Sequence, residues 1–226
     1  MILIGCRNSR MLNHHMNCRT ILFKLILPAS FILFFNCHQV MAKELSVKKV
    51  YSGNTIKLKN GKKIEYIGVD TPGKGKPFFD ICKKANKSLV DKKEISIKTD
   101  VLERQDDGKL LGYVYADGTF VNSELIKRGY ALAYIVPPNE SYRKLFLSLQ
   151  EEARKNRRGL WAFEDRNDEP YYLGSKISKV LHRPGCFHAK HLNFDDRIII
   201  RTKDEALSKG FTQDWRCCPL FKKPDK

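Results

Sequence analysis

Two short alternating runs, Thr55 to Lys59 and Lys62 to Val69, meet at Asn60-Gly61, and this junction limits the fold more than any other stretch of the chain. Asn-Gly tolerates the positive φ that the tight turns of β-hairpins demand, so the two runs read as paired strands. In the second run Ile64, Tyr66 and Gly68 alternate with Glu65, Ile67 and Val69. It breaks at Asp70-Thr71-Pro72-Gly73, where an acid at a strand end, beside a Thr and ahead of a rigid turn, is well placed to hold a cation. Similar runs at Leu45–Ser52, Glu94–Thr99 and Leu110–Tyr115 bring the expected strands to five.

Three segments break the period of two and read as helices: about Phe78 to Val90, Asn122 to Lys127, and Ser141 to Arg154. In the last, Tyr142, Leu145, Phe146, Leu149 and Ala153 share one face, while Arg143, Lys144, Glu151 and Glu152 lie largely on the other. Asn139 or Ser141 is the expected cap. Cys82 reads as a buried thiol on the first helix, and the Phe78-Phe79 pair as helix core.

The first 42 residues read as a secretory signal. Arg7, Arg10, Arg19 and Lys24 precede or enter an apolar run ending at Phe35, no acid occurs before Glu44, and Val40-Met41-Ala42 offers small residues for cleavage. The expectation is an exported protein, periplasmic or extracellular, with no membrane span once the signal is removed. Setting aside those residues, with four basic groups and no acid, leaves a formal charge of +13, which attracts polyanions.

After Phe163 the charged run 164–170 reads as a linker, dividing an N-terminal domain (43–163) from a small C-terminal unit (171–226). So short a unit buries little core, and its cysteines and histidines point to a metal or a disulfide.

Residues 47–162 resemble the staphylococcal nuclease (thermonuclease) family. The resemblance is carried by SGNTIKL (52–58), YIGVDTP (66–72), DDGKLLGYVYADG (106–118), VNSELIKRGYA (121–131), PPNESYRKLF (137–146) and EEARKNRRGLW (151–161). It implies an α+β class, mainly β: a five-stranded OB-type barrel with three helices. It also implies a calcium ion held by two aspartates and a backbone carbonyl, a glutamate that helps deliver water, and two arginines on the phosphate. Hard cations take oxygen ligands and guanidinium forks suit phosphate oxygens.

Carried over residue by residue, the resemblance predicts a degraded site. The first metal aspartate falls at Asn54, the strand arginine at Glu65, the glutamate at Gly73 and the second arginine at Lys109; only Asp70 and Thr71 match. Asn54, Asp70 and Thr71 are thus the calcium remnant, and Lys109 the one catalytic candidate. Losing one donor to a developing oxyanion costs about 10² to 10³ in rate, and a missing base about 10² to 10⁴. Two other readings stay open: Asp70, Asp106 and Asp107 as a rearranged acidic site helped by Lys74, Lys76 or Lys109, and Asp70 as a turn residue bound to its own amides. Lys74, Lys76, Lys109 and Tyr134, with Tyr66 beside them, are the candidates for a nucleic-acid groove.

The segments 178–200 and 204–219 are similar to the zinc module at the front of the bacterial alkylation-repair methyltransferase Ada, and imply a small zinc-finger-like α+β module. Its paired ligands match His182 and Cys186, then Asp214 and Cys217, with an aspartate in one thiolate's place. Cys218 is an alternative ligand, and a disulfide from Cys186 to Cys217 or Cys218 the competing reading. His188 and His191 read as surface residues. The function expected first is binding of nucleic acid or another polyanion without efficient cleavage, by a monomer. A calcium-dependent phosphodiesterase with an altered site and a protein-binding scaffold are the alternatives.

Overall fold

The Asn60-Gly61 junction forms the expected turn, and the strands it joins start a closed barrel. The computed structural model describes residues 45–222 apart from 106, 168 and 218. The signal at 1–42, Asp106 and Cys218 therefore lie outside the described residues. Strands β1 (Leu45–Ser52), β2 (Thr55–Leu58) and β3 (Lys63–Tyr66) form an antiparallel meander, followed by the short β4 (Val69–Asp70). Helix α1 (Phe79–Val90) leads to β5 (Glu94–Lys98) and β6 (Leu110–Ala116), then β7 (Thr119–Phe120), α2 (Val121–Lys127), β8 (Leu132–Ala133) and α3 (Arg143–Lys155). The start of β1 pairs with β5, β5 pairs with β6, and β6 closes the ring by running parallel to β3, Ile64 opposite Leu110. This is the five-stranded OB-type barrel with three helices. Ile56, Leu58, Ile64, Tyr66, Val114 and Leu125 are among the residues that fill it.

The run expected as one strand from Lys62 to Val69 is split between β3 and β4. Gly68 has φ +74, and a Cβ there would lie 2.4 Å from the Phe146 ring, so the chain turns over the α3 aromatic instead of continuing straight. Helix α3 also starts later than expected. Asn139 does not cap it, because its side chain brackets the Leu102 backbone at 2.7 and 2.8 Å, and Ser141 is held by Asp100.

A 3₁₀ turn (Gly159–Phe163) leads into the C-terminal part: β9 (Tyr172–Ser175), β10 (Val180–His182), α4 (Phe187–Lys190), β11 (Arg197–Ile200), α5 (Lys203–Ser208) and β12 (Thr212–Gln213). Its sheet runs β11-β9-β10-β12, with β10 and β12 parallel. This part does not stand alone, and the described residues form one compact unit. Its apolar side chains Tyr172, Leu181, Phe211, Trp215 and Phe221 share a core with Cys82 of α1, Leu132 of β8, Ala153 of α3, Leu160 and Trp161. Fifty residues cannot bury enough surface by themselves, and the barrel's flank supplies the rest.

The segment expected as a linker is clamped between the two parts. The Asp165 amide donates to the Leu220 carbonyl at 2.9 Å, and Arg183 pairs with Asp165 and Glu169. Lys203, itself buried, donates to the carbonyls of Asp165 and Asn167. Glu164 pairs with Arg154, and Asp165 and Glu169 pair with Arg183, so the run is tied to both parts. Among the described residues no helix is long and apolar enough to cross a membrane.

Candidate functional site

The end of β3, all of β4 and the loops after β5 and β8 enclose a cleft of about 510 Å³, lined in part by Asn54, Glu65, Asp70, Gln105, Asp107 and Tyr134. Asn54 stands in the turn between β1 and β2. Gly53 is required beside it, because a Cβ there would lie 2.7 Å from Thr71 and 2.9 Å from Cys82. The Asn54 amide nitrogen donates to the Val69 carbonyl at 3.0 Å. Its oxygen accepts from the hydroxyls of Ser52 (2.8 Å) and Thr71 (3.1 Å). A carboxylate at this position could not donate to Val69, so the amide belongs to a neutral network that also uses up Thr71.

Asp70 is bound from an unexpected direction. One carboxylate oxygen accepts from the Trp215 indole nitrogen at 2.8 Å and from the Thr212 hydroxyl, both in the C-terminal part. Burial pushes the Asp70 carboxyl up to about 6, against the lowering effect of these two bonds and of the Thr71 amide. The turn reading is thus correct as far as the Thr71 amide goes, and incomplete without Thr212 and Trp215.

On the opposite wall Glu65 pairs with Lys109 at 3.0 Å and accepts from Gln105 at 3.1 Å. Lys109 also pairs with Asp107 at 2.8 Å, and its hydrogen bonds to Asp107 and Glu65 raise its pKa. The lysine expected to replace lost positive charge is thereby neutralised by two carboxylates. Gly73 is exposed with no atom within 4 Å of a Cβ position, and Lys74 and Lys76 are exposed on the same loop. Tyr66 lines the cleft but offers no stacking platform, because it is buried in the barrel and donates to Asn86 at 2.9 Å. The Tyr134 ring lies at the cleft rim with its hydroxyl donating to the Ser178 carbonyl at 2.9 Å.

A second cluster lies in the C-terminal sheet. Parallel pairing of β10 with β12 sets Leu181 beside Gln213, which brings the next residues, His182 and Asp214, to 3.3 Å. Two tight turns, Cys186 N to Arg183 O and Cys217 N to Asp214 O, fold the cysteines back onto them. One ligand atom from each of His182, Cys186, Asp214 and Cys217 lies within 4.8 Å of the others, and the first three residues are buried. Cys186 and Cys217 are both free thiols. Burial pushes the Cys217 thiol up to about 12 and lowers the His182 imidazole, while the Arg216 fork on Asp214 helps hold that carboxyl low. Nitrogen, sulfur and carboxylate donors in a buried tetrad suit zinc, and a small contraction would close a four-coordinate site. His188 and His191 stand apart, packed against the exposed Phe187.

Thr212 and Trp215 are the residues that sequence reading missed. Their one visible signal is position, since they flank the expected ligand Asp214. Nothing local to them points back to Asp70.

A family model described as staphylococcal nuclease homologue matches residues 63–163. Among curated proteins, Endonuclease YncB of Bacillus subtilis (strain 168) is 35% identical over 129 residues, which cover 52% of this chain and 61% of that protein. The SPbeta prophage-derived endonuclease YokF of the same organism is 32% identical over 130 residues, 53% of this chain and 44% of that protein. The thermonuclease of Staphylococcus intermedius is 30% identical over 131 residues, 54% of this chain and 78% of that protein. The chain therefore spans less than two thirds of the first two relatives and most of the third.

Proposed function

The chain belongs to the staphylococcal nuclease family, and on that premise we propose that it binds nucleic acid, or a similar polyanion, without efficient cleavage. The observation that carries this reading is the engagement of Asp70, the one matching carboxylate, by Thr212 and Trp215. Around it Asn54 is committed to a neutral network and Glu65 and Lys109 to each other. A dication needs several anionic or carbonyl oxygens free to turn toward it, and a phosphate needs unpaired cations. Binding asks for less, and the basic mature chain retains long-range attraction for a polyanion.

The C-terminal tetrad is read as a structural zinc site, with His182, Cys186, Asp214 and Cys217 as ligands. Zinc there would neutralise the thiolates and lock the turns that carry them. Export and a monomeric state belong to the same proposal. Export is supported by the basic and apolar pattern of residues 1–42.

Cleavage of single-stranded DNA and of RNA by residues 43–226, with calcium and with chelator, tests the reading. The expected result is no calcium-dependent product, with the same nucleic acid retarded in a gel at low salt. Calcium-dependent cleavage lost in Lys109→Ala would replace the proposal with an enzyme of altered site. Neither cleavage nor retardation would leave the scaffold reading.

A further inference from the structure

From Leu45 to Ile64 the chain carries six lysines and no acid. The strand register lines up three of them. Lys49 of β1 lies opposite Lys57 of β2, and Lys57 lies opposite Lys63 of β3, so three ammonium groups cross three neighbouring strands in one row on the outer face of the barrel. Tyr51, 37% exposed, lies across this row, with the Lys49 and Lys63 ammonium groups 5.0 and 5.1 Å from its ring centroid. Among the described residues none of the three lysines has an ion-pair partner. The next outward acid on β3, Glu65, is held by Lys109 and Gln105.

Like charges placed directly opposite across strands are destabilising. Lysines often protect exposed sheet edges, but that explanation does not reach Lys57, which is paired with Lys49 on one side and Lys63 on the other. The ring of Tyr51 attracts two of the cations and holds them at fixed height, which keeps the row ordered without neutralising it. At its β3 end the row comes within electrostatic reach of Asp107, at the lip of the cleft.

We propose that this face, Lys49, Lys57 and Lys63 arranged around Tyr51, is the surface that receives the phosphate backbone of a single-stranded nucleic acid. Adjacent strands are about 4.8 Å apart, so the row spans roughly 10 Å of a curved wall, which a flexible single strand can follow. The proposal rests on the binding reading above and moves its main contacts from the cleft to the barrel's outer face. Phosphates would replace the missing counter-charges, releasing the ions condensed on the strand.

The test is fluorescence anisotropy of a labelled oligothymidylate at a series of salt concentrations. It compares the wild-type chain, the triple variant Lys49→Gln, Lys57→Gln, Lys63→Gln, and a control on the exposed loop after β4, Lys74→Gln with Lys76→Gln. Circular dichroism and thermal unfolding of each variant establish that the barrel is intact. About 0.7 of a unit of salt slope per phosphate contact predicts that the triple variant flattens log K against log salt by about 2, while the control keeps the wild-type slope. A slope unchanged in the triple variant, or lost only in the control, overturns the assignment of this face and leaves nucleic-acid binding standing. No binding by the wild-type chain at low salt overturns both, and capture by anionic vesicles without oligonucleotide binding replaces the nucleic acid with a membrane surface.

Discussion

Metal-free protein is expected to unfold about 8–16 °C below protein carrying a single zinc ion. At free zinc a thousandfold above the dissociation constant, binding to the folded state alone contributes about 4 kcal/mol. Each kcal/mol shifts the midpoint of a domain of this size by about 2–4 °C. The shift is large because the tetrad is not peripheral. Asp214 lies between Thr212 and Trp215, and those side chains reach into the barrel. Cys186→Ser removes a soft donor and should abolish most of the zinc-dependent shift. Asp214→Cys should tighten binding, since a thiolate suits zinc better than a carboxylate. Elemental analysis and chelator competition check both. Protein isolated with no zinc and a Cys186–Cys217 disulfide by mass spectrometry would sink the metal reading in favour of a covalent one.

Trp215→Ala is expected to lower stability by about 3–5 kcal/mol, the usual cost of truncating a large aromatic in a core. Trp215 is only 8% exposed and stacks on Phe221 at 5.9 Å, which in turn meets Trp161 of the barrel side at 5.1 Å. Its loss opens the shared core and removes a donor from Asp70. Replacing the acid itself should act in the other direction. Asn at position 70 still accepts from both donors, and it avoids a buried charge. The folded carboxyl titrates near 6, above the value of about 3.9 for an unfolded aspartate. Below about pH 4 both states are protonated and the group has no effect. Between about 4 and 6 the unfolded chain releases its proton first, so wild-type stability falls as pH rises, by an amount on the order of 3 kcal/mol, and then levels off. Asp70→Asn should lack this fall and be more stable than wild type at pH 7. Urea unfolding midpoints of both proteins from pH 4 to 8 decide it. A destabilised Asn variant at neutral pH would mean that the ionised form is held for a purpose, such as a cation.

The barrel was legible because its signals are local. Alternation in Thr55–Lys59 and Lys62–Val69, the Asn60-Gly61 turn and the spaced apolar face of α3 each state their element within a few residues. The break at Gly68 was not, because it depends on Phe146, far along the chain. The four positions of the C-terminal tetrad came from the resemblance to the Ada module, whose paired spacings of three residues and two recur here, and the fold does bring those residues together. The bonds around Asp70 could not be placed, since the carboxylate and its donors are separated by more than 140 residues. The segment 164–170 shows the same limit in charge. It reads as a linker until Arg183 is seen to pair with Asp165 and Glu169, and Lys203 to bind the Asp165 and Asn167 carbonyls.

The long reach from Asp70 to Thr212 also sets an order of events during synthesis. The two residues are 142 positions apart, and at about 5–20 residues per second a ribosome needs roughly 7–28 s to travel between them. The barrel can close only once β6 has been made, and from then until Thr212 and Trp215 emerge the Asp70 carboxyl would meet water in their place. It is then an ordinary solvated acid, ionised near neutrality and open to any cation that arrives. The late-made turn displaces that hydration and converts an open, charged cleft into a capped one. A chain halted before Thr212 would thus present a chemically different cleft from the finished protein.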